Sequence, residues 1–255
     1  MATADLRLAR RLLTKKFRGA TGEFLVEGAQ AVREAVTYGA ARQVLATPQA
    51  AAQWPDVVAG GYTRLVPGQV RDLAETVTPQ GIFAICRLPE RRLADVLGAA
   101  RLLVICAQIR DPGNLGTVIR CADAFGADAV VTTTGSVEVT NSKTVRASVG
   151  SVFHLPVVTG VDLAGVVGQV RAAGFTVLAA DAAGADLNEV ARSGGLGGKV
   201  AWLFGNEAWG LPEAERTLAD RVVRIPMWGR AESLNLSTAA AVVLFATASR
   251  QRQLD

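Results

Sequence analysis

Histidine and cysteine are scarce in this sequence, with one histidine and three cysteines among 255 residues. His154 has no second histidine with which to bind a metal, and neither H-E-x-x-H nor C-x-x-C occurs. Cys86, Cys106 and Cys121 are odd in number, widely spaced and set among apolar residues, which is typical of reduced, buried thiols. The sequence therefore predicts no metal site and disfavours catalysis by a histidine base.

Long hydrophobic runs are also absent. The longest runs, such as residues 102–107 and 239–246, fall well short of the ~20 residues that a membrane span requires. The N-terminus alternates charged residues with leucine and lacks the apolar stretch and cleavage site of a secretory signal. We therefore expect a soluble, cytoplasmic protein. Half of the residues are hydrophobic, which fits one large or two modest globular domains.

Two common nucleotide-binding fingerprints are missing as well. The sequence has no G-x-x-x-x-G-K-[ST] loop, which disfavours a P-loop nucleotide hydrolase. The first apolar strand of the C-terminal part, residues 101–107, runs into R-D-P-G-N-L-G and not into the G-x-G-x-x-G of a dinucleotide fold. A nicotinamide-dependent enzyme is therefore disfavoured.

Acidic residues are nearly absent from the first 18 residues, which carry six arginines and lysines against Asp5 alone. This segment has a net charge of +5, and because the whole chain is +4, the remainder is −1. A local cationic helix attracts phosphate and is typical of nucleic-acid binding. Lys15, Lys16 and Arg18 are the candidate contacts. The alternative is a solvated helix face in an arginine-rich chain.

Helices and strands alternate over the first 90 residues, which favours a small α/β unit. The predicted strands are residues 24–26, 44–46, 62–66 and 81–86, and the predicted helices are residues 29–38, 69–76 and a short helix that begins at Pro48. Residues 88–98 are polar and contain Pro89 and Gly98, so we place a domain boundary in this segment. The chain is thus divided into domains of residues 1–92 and 93–255.

The second domain is predicted to contain a parallel sheet. Residues 101–107, R-L-L-V-I-C-A, form a continuous apolar run of the kind that is buried on both faces of such a sheet. Further strands are predicted at residues 129–133, 155–158, 176–180, 199–204 and 221–225. Three of the strands lead into loops rich in glycine and small polar residues, and ligands of open α/β sheets bind at such strand ends.

The first of these loops belongs to residues 108–127. Asp111 is predicted to be the N-cap and Pro112 the first residue of the following helix. The helix would bury a stripe that begins at Leu115, and Arg120 lies about 140° from that residue, away from the core. Arg120 is therefore either solvated or functional, together with the loop residue Asn114.

The second loop belongs to residues 202–212, W-L-F-G-N-E-A-W-G-L-P. Gly205 permits close backbone approach, and Glu207 places a carboxylate at the strand end. The third belongs to residues 225–244, where Ser233 or Asn235 either caps the following helix or serves a ligand.

Together these segments resemble the SpoU branch of the RNA ribose 2'-O-methyltransferases, the TrmH-like members of the knotted SPOUT superfamily. The family motif N-x-G-x-x-x-R is matched by residues 114–120, F-G-N-E-x-x-G-L by residues 204–211, and I-P-M-x-G-x-x-x-S-L-N-x-S by residues 225–237. Residues 1 to about 90 resemble the substrate-binding domain of the ribosomal RNA members, through K-F-R at 16–18, F-L-V-E-G at 24–28 and T-P-Q-G-I-F-A-I at 78–85.

This resemblance implies an α/β protein in which a trefoil-knotted parallel sheet follows a small ribosomal-protein-like α/β domain. It also implies a homodimer formed through the catalytic domain and S-adenosylmethionine bound in the knot. The residues implied to contact this cofactor are Thr133, Gly135, Gly205, Ile225, Met227 and Leu234. The residues implied to act in catalysis are Asn114, Arg120, Glu207, Ser233 and Asn235.

The family proposal makes the motif arginine, here Arg120, the general base. Because a guanidinium is effectively never deprotonated, we expect Arg120 instead to hold a phosphate and stabilise charge on the ribose oxygen.

Lys143 and Arg146 match a family segment near the target nucleotide and are expected to bind RNA. The N-terminal domain favours ribosomal RNA of the 23S type as the substrate. A transfer RNA enzyme, a non-catalytic RNA-binding assembly factor and a role in antibiotic self-resistance are the alternatives.

Overall fold

The structure is a computed structural model that describes residues 2–253. Its helices are α1 (Ala2–Leu12), α2 (Lys15–Thr21), α3 (Ala29–Thr37), α4 (Pro48–Gln53), α5 (Pro67–Leu73), α6 (Leu93–Leu97), α7 (Pro112–Ala124), α8 (Ser142–Ser148), α9 (Leu163–Ala172), α10 (Leu187–Arg192), α11 (Glu213–Arg216) and α12 (Leu236–Gln253). Its strands are β1 (Glu23–Glu27), β2 (Ala41–Ala46), β3 (Thr63–Arg64), β4 (Ile82–Arg87), β5 (Leu102–Cys106), β6 (Ala129–Thr133), β7 (Val157–Val161), β8 (Thr176–Asp186), β9 (Val200–Phe204) and β10 (Arg221–Arg224).

The chain forms two compact units. The first contains the residues up to Pro89 together with Thr140–His154, and the second contains Glu90–Val139 and the residues from Leu155 onwards. No helix within residues 2–253 combines the length and apolarity that crossing a membrane requires. The functional division at residues 92 and 93 stays a prediction.

The first unit is built on a four-stranded sheet in the order β1-β4-β2-β3. Strand β4 pairs antiparallel with β1 and with β2, whereas β2 and β3 are parallel. Its core lies between this sheet and α1 and α5, and includes Ala9, Leu12, Leu45, Leu73 and Phe83. In the structure, the strand predicted at residues 62–66 is reduced to the two residues of β3. Only Thr63 and Arg64 pair with β2, and the residues on either side of them lie in loops.

The segment Thr140–His154 packs within the first unit, although the sequence places it between β6 and β7 of the second. Asn141 caps α8 by accepting a hydrogen bond from the backbone N–H of Lys143 at 2.9 Å. His154 ends the segment with Nε2 3.2 Å from a carboxylate oxygen of Glu34. A stretch that lies between two strands of the second unit is thus part of the first unit.

The second unit contains a six-stranded sheet in the order β10-β8-β9-β5-β6-β7, in which every neighbouring pair is parallel. All residues of the central strands β5 and β9 are buried, as the continuous apolar run predicted. Because the strands are parallel, the loops that follow β5, β9 and β10 open at the same edge of the sheet. The predicted α/β class and parallel sheet are confirmed.

Strand β8 is longer than the predicted strand at residues 176–180. Its first part pairs with β9, and its second part continues beside β10 after a register shift between Val222 and Val223. Gly184 permits this pairing, because an added Cβ would lie 2.4 Å from backbone atoms of Val222 and Val223. The small residues in the second part of β8 have low strand propensity, so the strand predicted from the sequence stopped at residue 180.

All three cysteines carry free thiols. Cys86 and Cys106 are fully buried, as expected, but Cys121 is only partly buried on α7. Burial raises the pKa of the Cys86 thiol well above its usual range. Burial, aided by the charge of Glu207, raises the pKa of Cys106 to about 12. These two thiols therefore stay protonated at neutral pH, which suits core residues.

Candidate active site

The three segments singled out in the sequence meet beyond the carboxyl ends of β5, β9 and β10. The first is α7, which begins as predicted: Asp111 accepts a hydrogen bond from the backbone N–H of Asn114 at 2.7 Å, and Pro112 is the first helical residue. Leu115 on the buried stripe is fully buried, and Arg120 on the other side of the helix is exposed. The helix thus holds Asn114 at the sheet edge and Arg120 towards solvent.

Glu207 connects the second segment to this helix start. Its carboxylate accepts hydrogen bonds from the backbone N–H groups of Arg110 and Asp111, at 3.2 and 3.1 Å. It also accepts a hydrogen bond from the side-chain amide of Asn114 at 3.3 Å. All three partners are N–H donors. The carboxylate therefore accepts from N–H groups at the start of α7 that have no partner within the helix.

Asn235 connects the third segment. Its Oδ1 accepts hydrogen bonds from the backbone N–H and the hydroxyl of Ser237, at 2.9 and 2.7 Å, and so caps α12. Its Nδ2 donates to Oδ1 of Asn114 at 3.0 Å. The cap and the inter-segment contact therefore use different atoms of one side chain. Asn114, Glu207 and Asn235 form a continuous hydrogen-bonded chain, which we call the asparagine–glutamate cluster.

A cavity of about 460 Å³ lies beside this cluster. Four of the predicted cofactor contacts line it: Gly205, Ile225, Met227 and Leu234. Of the predicted catalytic residues, the whole asparagine–glutamate cluster and Ser233 line it. The volume falls in the range of roughly 300–1,000 Å³ that is usual for small-molecule sites.

Gly205 can only be glycine at this position. A Cβ there would lie 2.4 Å from the carbonyl carbon and oxygen of Gly210. Two backbone hydrogen bonds between Asn206 and Gly210, at 3.0 and 2.9 Å, close the turn that produces this approach. The turn gives the cavity a wall of bare backbone, which a ligand can approach closely.

Thr133 and Gly135 are not among the described residues that line this cavity. The hydroxyl of Thr133 accepts a hydrogen bond from the backbone N–H of Gln108 at 3.0 Å, and a Cβ on Gly135 would contact the Gln108 side chain at 3.5 Å. Their contact with the cofactor stays a prediction.

Arg120 does not line the cavity either. It is exposed and makes no side-chain hydrogen bond or ion pair to any other residue in the described range. Ser233 is also exposed, and its hydroxyl has no partner within residues 2–253. Both side chains are therefore available to a substrate rather than committed to the fold.

The predicted RNA contacts differ in their availability. Lys15, Lys16 and Lys143 are exposed. Arg18 is partly buried and donates to the carbonyl oxygens of Leu12 and Leu13 at 3.1 Å each, so it binds the end of α1. No sequence pattern separates this arginine from its exposed neighbours.

Arg146 is also engaged within the first unit. Its guanidinium lies 3.2 Å from a carboxylate oxygen of Glu75 and 3.8 Å from one of Glu27. Ser142 donates a hydrogen bond to the same Glu75. The RNA-binding role of Arg146 stays a prediction, and RNA would compete with two carboxylates for its guanidinium.

The sequence profile of the SpoU rRNA Methylase family matches residues 101–245, which is more than half of the chain. The chain belongs to the SpoU rRNA methylase family. A second profile, described as an MRM3-like substrate binding domain, matches residues 4–84. The family predicted from the three motifs is thus confirmed.

Relatives of this SpoU family protein cover nearly its whole length. The 23S rRNA (guanosine(2553)-2'-O)-methyltransferase RlmP of Bacillus subtilis is 37% identical over 92% of each chain. The 23S rRNA (uridine(2479)-2'-O)-methyltransferase of Streptomyces viridochromogenes is 33% identical over 92% of this chain and 85% of its own. The two enzymes are named for different bases.

Solved structures of the SpoU family have the same fold. The SpoU methyltransferase AviRb from Streptomyces viridochromogenes, in complex with AdoMet, is 30% identical, has a TM-score of 0.85 and covers 98% of each chain. An AdoMet-bound rRNA methyltransferase from Sinorhizobium meliloti is 32% identical with a TM-score of 0.83, and covers 98% of this chain and 95% of its own. SPOUT methyltransferases carry the trefoil knot, so the predicted knotted fold is confirmed.

Several residues of this SpoU family site were not among the catalytic residues and cofactor contacts predicted from the sequence. Gln108 has a positive φ of 52° and donates through its side chain to Glu215 at 2.8 Å. Asn206 is buried and donates to the carbonyl oxygen of Gln108 at 2.7 Å, which joins the first two segments behind the cavity. Asp181 and Glu232 line the cavity with carboxylates. The F-G-N-E motif already contained Asn206, whereas the other three carry no local signal.

Replacing Glu207 with glutamine should lower methyl transfer by about 100-fold and the free energy of unfolding by roughly 0.5–1.5 kcal/mol. All three groups that contact Glu207 are N–H donors, and the amide of glutamine would present donors to at least one of them. Single-turnover assays and urea unfolding measure the two effects. Glu213 is an exposed glutamate on α11, so Glu213→Gln is the matched control. If both variants had the same activity and stability, Glu207 would have no role in holding the three segments together.

Proposed function

We propose that this protein methylates the ribose 2'-oxygen of one nucleotide in large-subunit ribosomal RNA, with S-adenosylmethionine as the methyl donor. The observation that carries the proposal is the asparagine–glutamate cluster, which joins all three family motifs beside a cavity of about 460 Å³. The relatives and the family make the chain an S-adenosylmethionine-dependent RNA 2'-O-methyltransferase. The predicted cofactor is confirmed for this family by structures that contain AdoMet.

The residues that line the cavity fit S-adenosylmethionine chemically. Ile225, Met227 and Leu234 offer apolar contacts to an adenine ring, and the bare backbone at Gly205 allows close approach. The carboxylates of Asp181 and Glu232 have the sign that a sulfonium and an ammonium group require. When bound, the cofactor supplies an activated methyl group.

Methyl transfer to a hydroxyl is a displacement in which alignment of three atoms governs the rate, so no nucleophilic side chain is needed. In our proposal Asn114, Asn235 and Ser233 hold the ribose at the cavity mouth. Arg120 binds an adjacent phosphate and stabilises negative charge on the attacking oxygen, because a guanidinium offers a positive charge and several N–H donors in one plane. The proton passes to phosphate or water.

The RNA-binding surface includes the first unit. The match of residues 4–84 to a substrate binding domain supports this role, and the exposed Lys15 and Lys16 provide positive charge there. Lys143, also exposed in this unit, adds to it. We propose residues 1–92 as the functional RNA-binding domain and residues 93–255 as the catalytic domain. The protein would then act in the cytoplasm on ribosomal RNA.

The catalytic unit forms a homodimer in this proposal. Helices α7 and α12 pack together, and Phe125, the residue that caps the end of α7, meets Phe245 of α12 edge to face at 5.7 Å. Phe245 remains 59% exposed and Val242 37% exposed, so an apolar surface is left uncovered on α12. A monomeric mass by analytical ultracentrifugation at micromolar concentration would contradict the dimer.

The substrate is tested by incubating the protein with methyl-labelled S-adenosylmethionine and unmodified transcripts of 23S ribosomal RNA or transfer RNA. We expect label only in the 23S transcript, and in alkali-resistant dinucleotides, because a 2'-O-methyl group blocks cleavage at that ribose. Label in transfer RNA alone would favour the transfer RNA enzyme. The absence of S-adenosylmethionine binding by calorimetry would favour a non-catalytic assembly factor.

A further inference from the structure

The turn that follows β9 carries an exposed tryptophan in contact with an arginine. The guanidinium carbon of Arg110 lies over the ring of Trp209, 4.9 Å from the ring centroid. Trp209 is 48% exposed, and its indole N–H has no hydrogen-bond partner within residues 2–253. Arg110 forms no ion pair and no side-chain hydrogen bond in the same range. A large planar surface and one unpaired positive charge are thus presented to solvent.

The other tryptophan of this segment, Trp202, has a structural role. Trp202 in β9 is fully buried, stacks on Phe204 and donates its indole N–H to the hydroxyl of Thr247 at 2.9 Å. Trp209 has no such packing. The turn that holds it is already closed by the backbone bonds between Asn206 and Gly210. Local folding therefore does not account for an indole at this position.

The Arg110–Trp209 pair is fastened to the proposed active site. The backbone N–H of Arg110 donates to Glu207, which also accepts a hydrogen bond from Asn114 in the asparagine–glutamate cluster. Trp209 lies two residues after Glu207 in the same closed turn. The position of the pair is therefore fixed relative to Asn114 and Asn235, which line the cavity.

We propose that Arg110 and Trp209 form a stacking platform for an unpaired nucleobase of the RNA substrate, next to the ribose that is methylated. This inference rests on the proposed function. Unstacked bases in RNA bind to aromatic rings and to guanidinium planes, and every base has a face that can stack. The platform orients the nucleotide by stacking, while the charge of Arg110 attracts a flanking phosphate. It does not read the identity of the base.

A protein partner or the second subunit is the competing occupant, because tryptophan and arginine are both enriched in protein interfaces. The charge of Arg110 favours RNA. Burying it in a protein interface without a carboxylate partner is costly, whereas phosphate supplies the counter-charge at once. The nearest acidic neighbour in sequence, Asp111, is committed to capping α7.

The test compares Trp209→Ala and Trp209→Phe with the wild-type protein, using an unmodified transcript of 23S ribosomal RNA. We expect Trp209→Ala to raise the KM for RNA about 10-fold to 100-fold, the range that loss of one stacked base implies. Trp209→Phe should stay within about threefold of wild type, because a phenyl ring still stacks. The dissociation constant for S-adenosylmethionine and the mass in solution should not change in either variant.

The charge of the platform is tested with Arg110→Ala against Arg192→Ala, an exposed arginine on α10 of the same unit. We expect only Arg110→Ala to weaken RNA binding and to reduce the salt dependence of the dissociation constant by about one unit of logarithmic slope. The lysine variant Arg110→Lys should restore the slope but not the full affinity, since it lacks the planar fork.

Two results would overturn the platform. The first is an active Trp209→Ala enzyme whose KM for RNA lies within twofold of wild type. The second is a changed mass in solution, which would assign the surface to a protein interface. Failure of the proposed function is a different result, because then the wild-type protein itself transfers no methyl group to the transcript.

Discussion

Replacing Arg120 with alanine should reduce methyl transfer by about 100-fold or more, while the affinity for S-adenosylmethionine stays within a few-fold of wild type. Arg120 is exposed, lies off the cavity, and makes no hydrogen bond or ion pair within the described residues. The substitution therefore removes no contact that supports the fold or the cofactor. What it removes is the positive charge proposed to hold a phosphate and stabilise the ribose oxygen.

Single-turnover assays at saturating RNA measure the loss at Arg120, and calorimetry measures the cofactor affinity. The Arg120→Lys variant keeps the positive charge but removes the planar guanidinium, so it tests the two contributions separately. A point charge without the planar fork should recover only part of the rate. Arg192→Ala serves as the control for loss of an exposed arginine. Turnover of Arg120→Ala within a few-fold of wild type would eliminate Arg120 from the mechanism.

Gly205→Ala should abolish binding of S-adenosylmethionine in the micromolar range and destabilise the second unit. An added Cβ would lie 2.4 Å from backbone atoms of Gly210 and 2.6 Å from the backbone nitrogen of Leu211. These are backbone atoms in a closed turn, so they cannot move aside as a flexible side chain would. Opening the turn displaces one wall of the cavity that Ile225 and Met227 also line.

Calorimetry at a temperature where circular dichroism shows the variant to be folded measures the loss at Gly205. Gly168→Ala is the matched control, because Gly168 lies within α9 and an added Cβ there meets no atom within 4 Å. In a helix the change from glycine to alanine should stabilise the protein by about 0.5–1 kcal/mol. A folded Gly205→Ala protein that binds the cofactor as wild type does would show that this wall is not part of the site.

Much of the second unit follows from local sequence signals. The apolar run at residues 101–107 predicts a buried strand, and β5 occupies its centre. Asp111 and Pro112 predict the start of α7, and the helical period places Arg120 away from the core. These features depend on nearest neighbours along the chain, so a single sequence contains the information for them.

Other features depend on partners that are remote in the sequence. Arg146 was predicted to be a surface charge that binds RNA, but its guanidinium lies beside the carboxylates of Glu27 and Glu75, which are remote in the sequence. The hydrogen bond between Asn114 and Asn235 joins residues 121 positions apart, and only the family motifs predicted that these two residues lie close together. The positive φ of Gln108 is likewise imposed from outside, through Asn206 and Thr133.

The most direct test of the central claim is a map of ribose methylation on 23S ribosomal RNA from cells that contain or lack this protein. We expect one 2'-O-methylated nucleotide to disappear when the protein is absent. We also expect the wild-type gene to restore this nucleotide and the Arg120→Ala variant not to restore it. An identical methylation map with and without the protein would contradict the proposed function.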